Sequence, residues 1–163
     1  MSHGEDSPRL LDLSRPDDAH IETRLRSEPI VWLATSAREG TPHQAPVWFL
    51  WEDPTVVLFS APGARKLANI VVNPLVSLAL DTAGGGADVV ILRGRAGILG
   101  RDDAKGVVPA FVEKYSAMVP DRALDHWFET FSEPVRVVAT QVVAWTRSVD
   151  GLRYRAVGAP PVS

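Results

Sequence analysis

The sequence predicts a mainly β fold, an antiparallel barrel of six strands with helical insertions. Three observations lead there. Six segments rich in β-branched and aromatic residues are separated by Gly, Pro, Asn and Asp, the punctuation of strands and hairpins. Two clear apolar stripes of helical period interrupt them. Strands and helices do not alternate regularly, so a parallel sheet wound by crossover helices is disfavoured. At 163 residues one domain with a sizeable core is expected.

The elements follow in order. Residues 1–13 are polar and acidic and read as a flexible tail, leaving 14–163 as the domain. Ser14 is placed to cap a helix running to Ser27, with Pro16, Asp17 and Asp18 in a first turn that favours fixed φ and negative charge. Glu28-Pro29 ends it. A meander of strands at 30–36, 42–51 and 56–60 turns at Glu39-Gly40 and Asp53-Pro54. Ala64, Leu67, Ala68 and Val71 then form a helical stripe, stopped at Asn73-Pro74. A strand at 75–81 and a glycine turn at 84–86 lead to a long strand at 88–100, expected to bend near Gly94 or Gly97. Asp102 and Asp103 open a helix with the stripe Ala104, Val107, Val108, Phe111, Val112 and Tyr115. A short helix from Pro120-Asp121 carries Leu124, Trp127, Phe128 and Phe131 on one face. The last long strand spans 135–147, and the remainder after Asp150-Gly151 is a short strand or a tail.

Composition excludes several functions. Net charge is −3, so no global attraction to nucleic acid or anionic membranes is expected. The chain has no cysteine, which removes disulfides, thiolate metal sites and cysteine nucleophiles, and fits a reducing compartment. The N-terminus lacks the basic and apolar pattern of a secretion signal, and no apolar run is long enough to span a membrane. A cytoplasmic protein is expected. His3, His20, His43 and His126 are too scattered for the converging ligands of a zinc site, and no Gly-x-Ser-x-Gly elbow supports a hydrolase.

Two segments carry chemistry. In Ser60-Ala61-Pro62-Gly63-Ala64-Arg65-Lys66-Leu67-Ala68-Asn69 a strand ends, small residues turn the chain and a helix begins. The first-turn N–H groups point outward unpaired at the positive end of the dipole. Arg65 and Lys66 stand where that dipole disfavours cations, a placement that either serves a phosphate or is an ordinary solvated face. In Pro42-His43-Gln44-Ala45-Pro46-Val47-Trp48-Phe49, Pro46 removes a ladder donor and makes the strand an edge or irregular there. Such backbone beside large apolar side chains either seats a flat ring or is a core strand at a barrel rim. Arg93 and Arg95 share one strand face, to hold an acidic ligand tail or to meet water.

Taken together, these segments resemble the pyridoxamine-phosphate-oxidase-like superfamily of FMN-binding split β-barrels, and most closely its actinobacterial coenzyme F420 (deazaflavin) branch. The likeness rests on Val31-Trp32-Leu33-Ala34-Thr35, Gly40-Thr41-Pro42-His43, Pro46-Val47-Trp48-Phe49, Phe59-Ser60, Arg65 to Ile70 and Asn73 to Leu78. It implies a six-stranded split barrel and a homodimer with cofactor at the subunit interface. It further implies that Arg65 and Lys66 hold the cofactor phosphate with Ser60, Ala61 and Asn69 nearby, that the Pro46-Val47-Trp48-Phe49 backbone flanks the ring, and that Trp48 lies nearest a small-molecule substrate. Where pyridoxamine phosphate oxidases carry Gln and Arg, this chain has Val89 and Ile91, and their C-terminal substrate motif is not reproduced by Arg147 to Arg155. That argues against pyridoxamine phosphate as substrate and favours F420 over FMN. The expectation is an F420-dependent oxidoreductase, a reductase of a small organic acceptor, with no catalytic side chain assigned. An FMN-dependent enzyme and a non-catalytic carrier or sensor of flavin or haem are the alternatives.

Overall fold

The computed structural model describes residues 8–81 and 84–162. Its elements are α1 (Pro16–Ser27), β1 (Ile30–Ser36), β2 (Pro42–Glu52), β3 (Thr55–Ser60), α2 (Arg65–Val72), β4 (Leu75–Leu80), β5 (Asp88–Ile98), a 3₁₀ turn (Lys105–Val107), α3 (Val108–Tyr115), α4 (Asp121–Thr130), β6 (Glu133–Ser148) and β7 (Gly151–Gly158). All strand pairs are antiparallel, in the order β3-β2-β1-β4-β5-β6-β7, and β3 also pairs with β6. Six strands therefore close a barrel, as expected. The segment left open as strand or tail is a seventh strand that extends β6 beyond the point where β3 stops.

Alternation fills the barrel. In β1 and β4 every second residue is buried, so Val31, Leu33, Val76, Leu78 and Leu80 point into one core with Phe49, Trp51, Leu58, Val90, Leu92 and Val137. The expected bend in β5 falls at Gly94, where the register against β6 shifts. A Cβ on Gly94 would lie 2.2 Å from the Val138 carbonyl oxygen, so the strands can approach there only because the side chain is absent.

Helices close the openings. α1 fills the split between β7 and β2: the Asp18 carboxylate takes two hydrogen bonds from Arg155 at 2.6 and 2.9 Å, and Glu22 accepts from the Trp51 indole at 2.7 Å. Three expectations are corrected here. Ser14 does not cap α1; the cap position is Arg15, without a side-chain bond, and the Ser14 hydroxyl turns back to Asp12. The tail expected over 1–13 is anchored from Leu10 onward, because the Asp53 carboxylate accepts from the Leu10 and Leu11 amides and Leu11 enters the core; the tail at 1–7 lies outside the described residues. The helix expected from Asp102 begins later, a 3₁₀ turn preceding α3, because Gly106 weakens a helix and Pro109, excluded from a helix interior, fits the first turn of α3. α3 and α4 cover the outer face of β2 and β3 with a second core around Val57, Phe59, Phe111, Tyr115 and Leu124.

Candidate functional site

β2 and β3 pair over only four residues, from Phe49↔Leu58 to Glu52↔Thr55. Beyond that they part, and the stretch of β2 paired to β1 from Pro42 to Trp48 has a second edge that no described strand covers. Continuing the register sets Ser60 opposite Val47. The two segments singled out in the sequence thus converge where the barrel opens. Pro46, which has no N–H to leave unpaired, lies on that open edge.

From Ser60 the chain turns through Ala61, Pro62 and Gly63 into α2. Gly63 has φ +73° and open space where a Cβ would sit, the left-handed geometry a side chain would strain. α2 starts at Arg65 with no side-chain cap and no acidic residue in its first turn, so its leading N–H groups and dipole are uncompensated. Its buried side is Leu67, Asn69 and Ile70. The stripe expected from the sequence is rotated: Ala68 is exposed and Val71 is 71% exposed, because Leu67 and Ile70 fill the barrel mouth and Asn69 donates to the Thr35 hydroxyl at 3.0 Å.

This rotation separates the two cations. Arg65, with Ala68, Asn69 and Val72, faces a groove of about 460 Å³ whose other wall is the β1–β2 turn at Ala37, Arg38 and Glu39. Lys66 lies on the barrel side of the helix, where burial holds its ammonium below the usual lysine range. Neither cation makes an ion pair among the described residues. Ser60 is fully buried, its hydroxyl donating to the Ala61 carbonyl at 3.3 Å. His43, one residue into β2, has an enclosed Nδ1 with no hydrogen-bond partner. Arg65 facing a groove, an uncapped helix start and an unpaired Lys66 beside it fit a phosphate-bearing group by the chemistry of their donors.

The other end of the segment is aromatic. Trp48 stacks on Tyr115 at 4.3 Å and on Trp127 at 5.0 Å between centroids. The Tyr115 hydroxyl accepts from the Phe49 amide at 2.8 Å and reaches the carbonyls of Pro29 and Phe49 at 2.8 and 3.0 Å. Burial raises its pKa well above the usual tyrosine value, so it serves as a neutral hydrogen-bonding core residue, as its helical stripe suggested. Lys114 caps the same carbonyl at 2.9 Å and lies 3.8 Å above the Phe49 ring. The Phe49 backbone is therefore committed to α3 on the β1 side, and alternation along the strand turns the backbone groups of Pro46 and Trp48 to the open edge. Arg38 and Lys114 escaped the sequence reading: one is a turn cation and the other a helix-surface cation, and only the fold turns them toward β2 and α2.

Residues 17–148 match the family described as Pyridoxamine 5'-phosphate oxidase. The chain belongs to this family. Solved structures agree in fold. A FAD-binding protein from Mesorhizobium loti is 25% identical, with TM-score 0.57 over 77% of this chain and 90% of that one. A protein related to general stress protein 26, from Clostridium acetobutylicum, is 13% identical with TM-score 0.62, over 87% and 92%. The group A Streptococcus protein HupZ is 14% identical with TM-score 0.56, over 77% and 91%. No curated protein matches. No described helix of this family member is long and apolar enough to cross a membrane.

Proposed function

We propose that this member of the pyridoxamine 5'-phosphate oxidase family is a cytoplasmic oxidoreductase. In this reading it binds a phosphate-bearing flavin-type cofactor between α2 and the open edge of β2. The observation that carries the reading is the uncapped start of α2 with Arg65 and Lys66 unpaired beside it. Arg65 and Lys66 would hold the phosphate and the Pro46 to Phe49 segment, through its open edge, would flank the ring. When bound, the cofactor supplies the hydride chemistry; the protein orients it, and the aromatic stack around Trp48 excludes water on one side.

The finer reading is an F420H2-dependent reductase of a small organic acceptor. Its support is that Val89 is buried and Ile91 is half-buried on an apolar outer face, so neither offers the polar contact that FMN oxidases place there. FMN is the second reading, favoured by the FAD-binding neighbour from Mesorhizobium loti. Titrating apo-protein with F420, FMN and FAD and following tryptophan quenching decides between them. Tightest binding of F420 is expected, and tighter FMN binding reverses the order.

A homodimer belongs to this proposal. The outer face of the sheet carries an unbroken apolar row, Trp32, Ala79, Ile91, Val143 and Ala156 across β1, β4, β5, β6 and β7. Beside it stand Trp145 and its cross-strand neighbour Tyr154. α3 and α4 cover β2 and β3 instead, and a face of this kind is ordinarily covered by another surface.

A further inference from the structure

We propose that Arg38, at the tip of the β1–β2 hairpin, is a second guanidinium for the cofactor phosphate, closing on it from across the groove opposite Arg65. This rests on the cofactor reading above and adds a residue that neither motif contains. Arg38 and Arg65 line the same open groove, Arg38 from the β1–β2 turn and Arg65, Ala68 and Val72 from α2. No carboxylate lies within ion-pair distance of either among the described residues, a state they share with Arg15, Arg93, Arg95, Arg136 and Arg147; what sets Arg38 and Arg65 apart is that they line one groove. Two like charges lining one groove repel, and an anionic phosphate between them, the diester of F420 or the monoester of FMN, offsets that repulsion and suits their planar donor forks.

The turn is built to present this side chain. The Gly40 amide donates to the Ala37 carbonyl and the Ala37 amide to the Thr41 carbonyl, both at 2.9 Å. Gly40 takes φ +87°. The tip is thus set by backbone bonds, and Arg38 is exposed with no role in packing. Glu39 lines the same groove; as an acceptor only, it is no partner for the phosphate.

The test uses the full chain and four proteins: wild type, Arg38→Ala, Arg38→Lys and Arg65→Ala. Each is titrated with FMN and with riboflavin, which lacks the phosphate, and each is melted with and without pyrophosphate. Arg38→Ala is expected to weaken FMN roughly tenfold or more while leaving riboflavin affinity and the ligand-free melting temperature unchanged. Arg38→Lys should recover only part of the loss. Pyrophosphate should raise the melting temperature of wild type more than that of Arg38→Ala. Unchanged FMN affinity in Arg38→Ala, with a loss in Arg65→Ala, overturns the role of Arg38 and leaves the cofactor reading standing. Wild type that binds neither FMN nor F420 but is stabilised by pyrophosphate through Arg38 keeps the clamp and removes the cofactor reading. No difference between wild type and Arg38→Ala with either ligand removes the clamp outright.

Discussion

At the scale of single residues, the contrast between Arg65 and Lys66 is the most informative feature. The helix turns them about 100° apart, so one reaches the groove and the other is partly desolvated. A charge-assisted bond to phosphate is typically worth about 1.5–3 kcal/mol. Lys66→Ala and Arg65→Ala should each weaken cofactor binding roughly ten- to a hundredfold and make it less sensitive to salt. Neither loss should lower the melting temperature of the empty protein, since both cations stand at the positive end of α2. The Lys66 contribution has a pH sign. Burial lowers its pKa, so the unfolded chain holds that proton more tightly. Removing the burden of a desolvated cation then lets empty-protein stability rise with pH between the depressed value and 10.5. Cofactor affinity should move the other way, falling over the alkaline range as Lys66 loses its charge. Affinity that is indifferent to both substitutions would return the pair to a solvated helix face.

At the scale of elements, α1 is the wedge that keeps the split closed, and Asp18 is its anchor. Its side chain is fully buried, takes both Arg155 bonds and also accepts from the Asp12 amide at 2.9 Å. Arg155 holds this carboxyl below its usual value of 3.8. A carboxyl depressed on folding stabilises the native state above its unfolded value and loses that contribution as pH falls through the folded one. Urea unfolding at a series of pH values should therefore show stability declining below about pH 4, with a shallower decline in Asp18→Asn. Asp18→Ala leaves Arg155 and the Asp12 amide without their partner and should cost about 3 kcal/mol near neutral pH. An identical acid limb in wild type and Asp18→Asn would show that the pair does not govern it.

At the scale of the whole molecule, the two faces of the barrel are treated differently. The β2–β3 side is packed under α3 and α4, while the face from β1 to β7 presents Trp145, Tyr154 at 63% exposure and Leu152 at 65%. Light scattering at micromolar concentration should give twice the monomer mass of 17.7 kDa. Ile91→Asp places a charge in the middle of the apolar row and should shift the protein toward monomer. It should also weaken cofactor binding if the interface completes the site. A cofactor-loaded monomer in the wild type would overturn the dimer.

Much of this was legible in the sequence because it depends on local periodicity. Runs of β-branched and aromatic residues placed β1 to β6, proline and glycine placed the turns, and Gly94 was one of two glycines at which the bend was expected. The segments at 42–49 and 60–69 were recognisable as a candidate site because cations at a helix start and proline inside a strand are locally unfavourable placements. What the tertiary structure alone decided is relative position. The rotation of α2, which buries Asn69 and exposes Val71, follows from the shape of the barrel mouth rather than from the helix's own stripe. β7 became a strand because β6 offers it a free edge from Gln141 to Ser148, and Arg155 and Arg153 tie it to Asp18 and Asp17 on α1, partners some 136 residues away in the chain. Arg38 joined the groove through hairpin geometry that no spacing encodes. Local propensity acts over a few residues, whereas a site is assembled by contacts whose partners are named only once the chain has closed on itself.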